Sequence, residues 1–189
     1  MKETVKTRRP VLTILILLLI LSALSTSAVR ADGRSYSSED AVILAKLVWG
    51  EARGLDVTQQ AAVVWCVLNR VEDAAFPDSM QTVVTQKWQF SGYSESNPIA
   101  PDILALVYDV LARWSIEQSC VGGVGRVLPR DYLFFAGNGI ENRFRKEYRD
   151  TEIWDWSLST PYVQADASYI NKTEQIKKGA MVFLPKLPQ

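Results

Sequence analysis

Two apolar stripes at helical spacing, separated by one glycine-marked break, restrict this chain to a helical hairpin before anything else about it is known. Ala41, Leu44, Ala45, Leu47 and Val48 recur three and four residues apart, which places them on one side of a helix. Ser38 stands ahead of them as an N-cap, and Glu39 and Asp40 fill the first turn, where the helix dipole favours acids. Gly54 suits a left-handed cap and should end the helix. A second helix follows, capped by Asp56 or Thr58, with Ala61, Val64, Trp65, Leu68 and Val71 forming its buried face. The two should pack antiparallel.

Phe76-Pro77-Asp78 breaks the pattern. Met80 to Thr85 reads as a short helix, and Lys87 to Tyr93 leads into polar loop. Pro101-Asp102 opens a third strong helix through Gln118, with Ile103, Leu104, Val107, Leu111 and Trp114 at core spacing. Gly122-Gly123-Val124-Gly125 is a flexible turn without the GxGxxG spacing of a phosphate cradle. Tyr132 to Ala136 has strand composition, Asn138-Gly139 signals a tight turn, and Asn142 to Arg145 supplies a return strand. Met181 to Leu184 reads as a last short strand. The fold class is therefore α+β, predominantly helical, with a short β-hairpin.

Lys2, Lys6, Arg8 and Arg9 precede an apolar run from Val11 to Leu21, and small residues follow it up to Ala28 and Ala31. That layout is a secretory signal peptide over residues 1–31, or an N-terminal anchor if it is retained. Residues 32–38 form a short polar linker, and 39–189 one domain. Taking five bases and one acid from 21 of each leaves 16 against 20, a net charge of −4 for residues 32–189. A mildly acidic domain has no electrostatic reason to bind nucleic acid or anionic lipid, and contact with a membrane is expected only through an uncleaved N-terminal segment. The densest basic run, Arg143 to Arg149, is interrupted by Glu147 and reads as a solvated face. Cys66 and Cys120 permit one disulfide or two buried thiols. Asn171-Lys172-Thr173 matches the glycosylation sequon, a weak three-residue signal.

The chain contains no histidine. Ser-His-Asp hydrolases, Cys-His peptidases and His-ligated zinc hydrolases are excluded, and two cysteines cannot build an all-thiolate zinc site. Hydrolytic chemistry must then run on carboxylates. Glu51 emerges beside the face that Leu44, Leu47 and Val48 bury, near the negative end of its helix. Both conditions favour a protonated carboxyl, the form that can donate to a leaving oxygen. The alternative is an ordinary ion pair with Arg53 or Arg70.

The stretch Leu44 to Gly54, with Trp49-Gly50-Glu51-Ala52-Arg53-Gly54 at its centre, is followed by Gln60-Ala61-Ala62-Val63-Val64, Leu68-Asn69-Arg70-Val71, Phe76-Pro77 and Gln89-Phe90-Ser91. This ordered set resembles the SleB-type, spore cortex-lytic cell wall hydrolases, over about residues 40–92 and more faintly beyond. The resemblance implies a small lysozyme-like, lytic transglycosylase-like domain that acts on peptidoglycan glycan strands outside the cell, in the wall or spore cortex, without a metal or organic cofactor. It carries the role of catalytic acid over to Glu51. It also makes Gln89 a hydrogen-bonding contact to substrate and loosely places Tyr132 and Asn138 in the cleft wall. By residue type, Trp88, Phe90 and Tyr93 offer faces for sugar stacking, with core packing the commoner alternative for such a cluster. Arg53 and Arg70 read as structural.

A lytic transglycosylase needs one carboxylate, because the muramoyl 6-hydroxyl is its nucleophile. A hydrolase usually needs a second, and Glu95, Asp131, Glu141 and Asp150 are candidates. The family's histidines, in its aromatic segment and near its carboxyl end, have no counterpart here. An N-acetylmuramoyl-L-alanine amidase is disfavoured for the same lack. A non-catalytic wall-binding module is the remaining alternative.

Overall fold

Ser37 rather than Ser38 caps the first helix, α1 (Ser38–Ala52). The reason is reciprocity. The Ser37 hydroxyl accepts from the Asp40 N–H, while the Asp40 carboxylate accepts from the Ser37 N–H at 2.9 Å, closing a capping box. A cap at Ser38 would put Ala41 in the position that must answer. The computed structural model describes residues 34–120 and 123–164. The predicted signal segment, the sequon at Asn171, the strand at Met181–Leu184 and Gly122 of the glycine turn lie outside the described residues.

The second helix, α2 (Val57–Glu72), starts at Asp56, whose carboxylate accepts from the Thr58 and Gln59 N–H groups. Every residue from Gln60 to Arg70 is buried, so α2 is the central rod of the core and not a one-faced surface helix. The short helix α3 (Met80–Thr85), capped by Ser79, closes against α1 and α2. The last, α4 (Pro101–Ile116), packs on both long helices. It tightens into a 3-10 turn at Glu117–Ser119 instead of running on to Gln118, and its inner face uses Leu106 and Val110 where Leu104 is only half-buried.

Two short strands, β1 (Phe134–Gly137) and β2 (Asn142–Arg145), pair antiparallel with Phe135 opposite Phe144 and Gly137 opposite Asn142. The first starts two residues later than its composition suggests, because the Tyr132 N–H is taken by the Pro129 carbonyl in a turn. Phe144 is fully buried and rests on Phe135 and Trp156, with ring centres 5.2 and 5.7 Å away. Phe144 belongs to the same buried cluster as the inner faces of the helices. The described part is thus mostly helical with one small hairpin, an α+β arrangement.

Charged side chains complete the framework. Arg34, inside the stretch expected to be linker, reaches Glu72 at 2.8 Å and Glu117 at 2.9 Å. Glu117 also takes Arg126 in a two-pronged pair and Arg130 at 2.9 Å. Burial alone would raise the Glu117 carboxyl, but the hydrogen bonds and charges of Arg126, Arg130 and Arg34 outweigh it and hold the group below its ordinary value. Midway along α4, the buried Asp109 accepts from Arg113 at 2.9 Å and from the Tyr162 hydroxyl at 2.7 Å, tying the 162–163 segment to the core. Cys66 and Cys120 are free thiols; complete burial pushes Cys66 up to about 11. Among the described residues no helix is long and apolar enough to cross a membrane.

Candidate active site

Glu51 occupies the last turn of α1, half-buried, and is held from two directions. On the side-chain side, the Gly92 N–H donates to its Oε1 at 2.7 Å. That contact exists because two glycines let backbone meet backbone. A Cβ at Gly50 would lie 1.8 Å from the Gly92 carbonyl oxygen, and one at Gly92 would lie 2.6 Å from the Gly50 carbonyl carbon. Asn97 fastens the crossing by donating to the Lys46 carbonyl at 3.0 Å and the Gly92 carbonyl at 2.8 Å. The segment from Gly92 to Asn97 is therefore a strap laid across the end of α1.

On the main-chain side, the carbonyls at the end of a helix lack partners within it. Here the Glu51 carbonyl accepts from Asn142 Nδ2 at 3.4 Å, and Gln60 Nε2 serves both Ala52 and Leu55. Asn142 is itself buried, and its N–H donates to Gln59 Oε1 at 2.9 Å. Helix, strap and hairpin thus converge on one residue, the strap at its carboxyl and the hairpin at its main-chain carbonyl. Among the described residues, its Oε2 accepts no hydrogen bond.

Glu51 opens onto a cleft of about 280 Å³, whose walls are residues 50–55 on one side and Gly137, Gly139, Glu141 and Asn142 on the other. Of the four candidate second carboxylates only Glu141 lines this cleft. Its carboxylate pairs with Arg143 at 2.7 Å. Asp131 is engaged by Lys146 at 2.8 Å, Asp150 accepts from the Glu152 N–H, and Glu95 borders a separate cleft beside the first half of α1. Arg53 lines the Glu51 cleft but turns back to the Trp49 carbonyl and ring. Neither Arg53 nor Arg70 forms an ion pair with Glu51.

The motif residues around Arg70 make a single structure. Arg70 is buried between the rings of Phe76, Phe90 and Phe134, with centroids 5.1, 4.8 and 5.4 Å from its guanidinium carbon. Its Nε donates to the Leu133 carbonyl and its Nη1 to Gln89 Oε1 at 3.0 Å. Its neighbour Asn69 donates to the carbonyls of Pro129 and Tyr132. Gln89, expected to touch substrate, is exposed but has its amide oxygen committed to Arg70. Phe90 and Tyr132, expected at the substrate, are 8% and 5% exposed and pack in the buried cluster. Tyr132 packs edge-on against Trp154. Tyr93 is half-buried beside the second cleft, and burial, then the Glu95 charge, raises its phenol above the ordinary value. Asn138 uses its side-chain oxygen to accept from the Ile140 and Glu141 N–H groups, shaping the hairpin turn.

The family model for Cell Wall Hydrolase matches residues 55–148. The chain belongs to this family. Similar curated proteins are the spore cortex-lytic enzymes of Oceanobacillus iheyensis, 36% identical over 62 residues, and of Halalkalibacterium halodurans, 35% identical over 60. A spore cortex-lytic enzyme of Bacillus cereus is also 35% identical over 60 residues. These alignments take in 33%, 32% and 32% of this chain and 22%, 18% and 23% of the relatives, so the chain matches about a fifth of their length. No solved structure matches significantly. The family match begins at Leu55, just beyond Glu51, and includes the strap, Arg70 and both strands.

Several residues around Glu51 were not legible as neighbours of it. Gly92, Asn97 and Asn142 act over 41, 51 and 91 residues of chain, far outside any local pattern, and Gln60 acts across the break between α1 and α2. Gly50 was the available signal, since a glycine inside a strong helical stripe usually has a packing reason. Trp88 is the other surprise. It is 88% exposed and has φ +67°, at the third position of a turn closed by the Gln89 N–H to the Gln86 carbonyl. A left-handed conformation costs a residue with a Cβ about 1–2 kcal/mol, and a turn of this kind ordinarily takes glycine there. Among the described residues no three His, Cys, Asp or Glu side chains gather so as to hold a metal ion.

Proposed function

We propose that this chain is an enzyme that cuts peptidoglycan glycan strands, a lytic transglycosylase acting between N-acetylmuramic acid and N-acetylglucosamine with Glu51 as its one acid and base. The observation that carries the reading is the immobilised carboxyl of Glu51 at the rim of an open cleft. With Oε1 held by the Gly92 N–H, Oε2 is the oxygen that exchanges the proton. It protonates the bridging oxygen as the muramoyl C1–O bond breaks and the glucosamine end departs as an alcohol. The resulting carboxylate then takes the proton of the muramoyl 6-hydroxyl while that oxygen bonds to C1, giving a 1,6-anhydro ring. No water is consumed, and Glu51 ends protonated as it began.

Helical body, facing hairpin and an acid at a helix end between them support a lysozyme-like reading of the fold. Gln89, through its amide N–H groups, Tyr93 and Asn138 are the remaining proposed substrate contacts. The enzyme is read as exported through residues 1–31, with 32–38 leading into the catalytic domain 39–189, to work in the wall or spore cortex. The relatives' name, spore cortex-lytic enzyme, is the support for that setting.

A second reading, hydrolysis, is favoured by one observation: Glu141 faces the same cleft. A carboxylate there is the group an inverting or retaining hydrolase would use to activate water or attack C1.

Glu51→Gln tests the assignment. Clearing of purified peptidoglycan should slow by at least about 100-fold, the ordinary contribution of general acid catalysis, while the variant still sediments with the wall material. Clearing at the wild-type rate would remove Glu51 from the mechanism. Binding without clearing by either protein would make the chain a wall-binding module.

A further inference from the structure

Stability does not account for Trp88. An indole 88% exposed contributes little to the core, and its backbone holds φ +67°, a value that favours glycine. Both folding terms would be improved by a smaller residue. Among the described residues it is the one non-glycine with positive φ. Strain retained without a packing return is the kind of feature that marks a ligand contact.

Its surroundings are organised for such a contact. The turn from Gln86 to Gln89 is closed by a main-chain hydrogen bond of 3.2 Å. Gln89, the next residue, is pinned to buried Arg70 at 3.0 Å, and Phe90 beneath it is packed on the same guanidinium. The Lys87 ammonium lies 5.1 Å from the Trp88 ring centroid. The ring therefore stands on a hydrogen-bonded turn, with a cation over it. Trp88 is also four residues before Gly92, which binds Glu51, so the two Cα atoms can be no more than about 14 Å apart.

We propose that Trp88 is the stacking platform of an outer glycan subsite, taking the apolar C–H face of a pyranose ring one or more sugars away from the bond at Glu51, with Lys87 beside it for an anionic substituent of the same strand. This rests on the peptidoglycan reading given above. A flat aromatic face suits a sugar ring because the ring's axial hydrogens present a continuous apolar surface. Because the turn is already hydrogen-bonded, little freedom is lost on binding.

The test uses the full chain in a Glu51→Gln background, so that substrate is bound and not consumed. Affinity for a soluble hexasaccharide of alternating N-acetylglucosamine and N-acetylmuramic acid is measured by calorimetry, and thermal stability is measured on the same samples. Trp88→Gly should bind about tenfold more weakly and unfold about 2–4 °C higher, because the backbone strain is relieved. Trp88→Tyr should recover most of the affinity without the gain in stability. Unchanged affinity in Trp88→Gly would overturn the inference and leave Glu51's role standing. A joint loss of affinity and stability would also overturn it, by making Trp88 structural. No binding by the Glu51→Gln parent would overturn the peptidoglycan reading itself, and this inference with it.

Discussion

Gly50→Ala reverses the sign that helix propensity alone would give. Glycine inside a helix costs about 0.5–1 kcal/mol relative to alanine, so the substitution ought to stabilise α1. In this fold the new methyl carbon would lie 1.8 Å from the Gly92 carbonyl oxygen, 2.4 Å from the Gly92 carbonyl carbon and 2.8 Å from Asn97 Nδ2. The first two are backbone atoms, so no rotamer change relieves the overlap. Helix and strap must separate, and overpacking of this kind costs about 1–3 kcal/mol. Separation also stretches the Gly92 N–H bond to Glu51, and an ordinary hydrogen bond contributes about 0.5–1.5 kcal/mol. After subtracting the propensity gain, we expect a net loss of about 2 kcal/mol, or a fall in Tm of about 4–8 °C. Activity should fall further, because a displacement of about 1 Å at a reacting group can cost about 100-fold. Urea unfolding followed by circular dichroism, with clearing of purified peptidoglycan on the same protein, measures both. Gly54→Ala is the control for stability, since nothing lies within 4 Å of the added carbon, and its urea midpoint should be near that of wild type. A Gly50→Ala protein as stable and as active as wild type would refute the crossing of strap and helix.

Two further predictions concern the framework. Asp109→Ala removes the acceptor of both Arg113 and Tyr162 in a fully buried site, and should cost about 3–5 kcal/mol; a urea midpoint close to wild type would contradict it. The Glu117 carboxyl is held below its ordinary value of about 4.5 in the folded chain, so its contribution is complete above that pH and is lost as pH falls through the lower folded value. Glu117→Gln should therefore be less stable than wild type at pH 6, and the difference should shrink below pH 4.5; a constant difference across that range would refute the charge assignment.

What was legible in the chain was whatever its neighbours decide. Asp56 marks a helix start because a cap answers N–H groups two or three residues away, and Pro101 because its fixed φ suits the first helical position. The hairpin turn was readable from Asn138-Gly139 for the same reason. Ser37 was missed because the deciding partner was Asp40's side chain, not the apolar stripe. Glu51 was placed correctly beside the buried face, yet its holders, Gly92 and Asn142, come from a strap and a strand that only tertiary folding brings near. Phe90 was a fair stacking candidate by residue type, but Arg70, 20 residues earlier, draws it into the core and leaves Trp88 outside. Glu141 stood among four equal carboxylates until the hairpin folded over the end of α1.

The chemistry at Glu51 is tested most directly by the ends it leaves on the strand. Mass spectrometry of purified peptidoglycan incubated with residues 32–189, and in parallel with the Glu51→Gln variant, reads those ends. Anhydromuramic ends made by the wild type and absent with the variant are the predicted result. Reducing ends in place of anhydro ends would contradict it, and would move the second carboxylate, Glu141, into the mechanism.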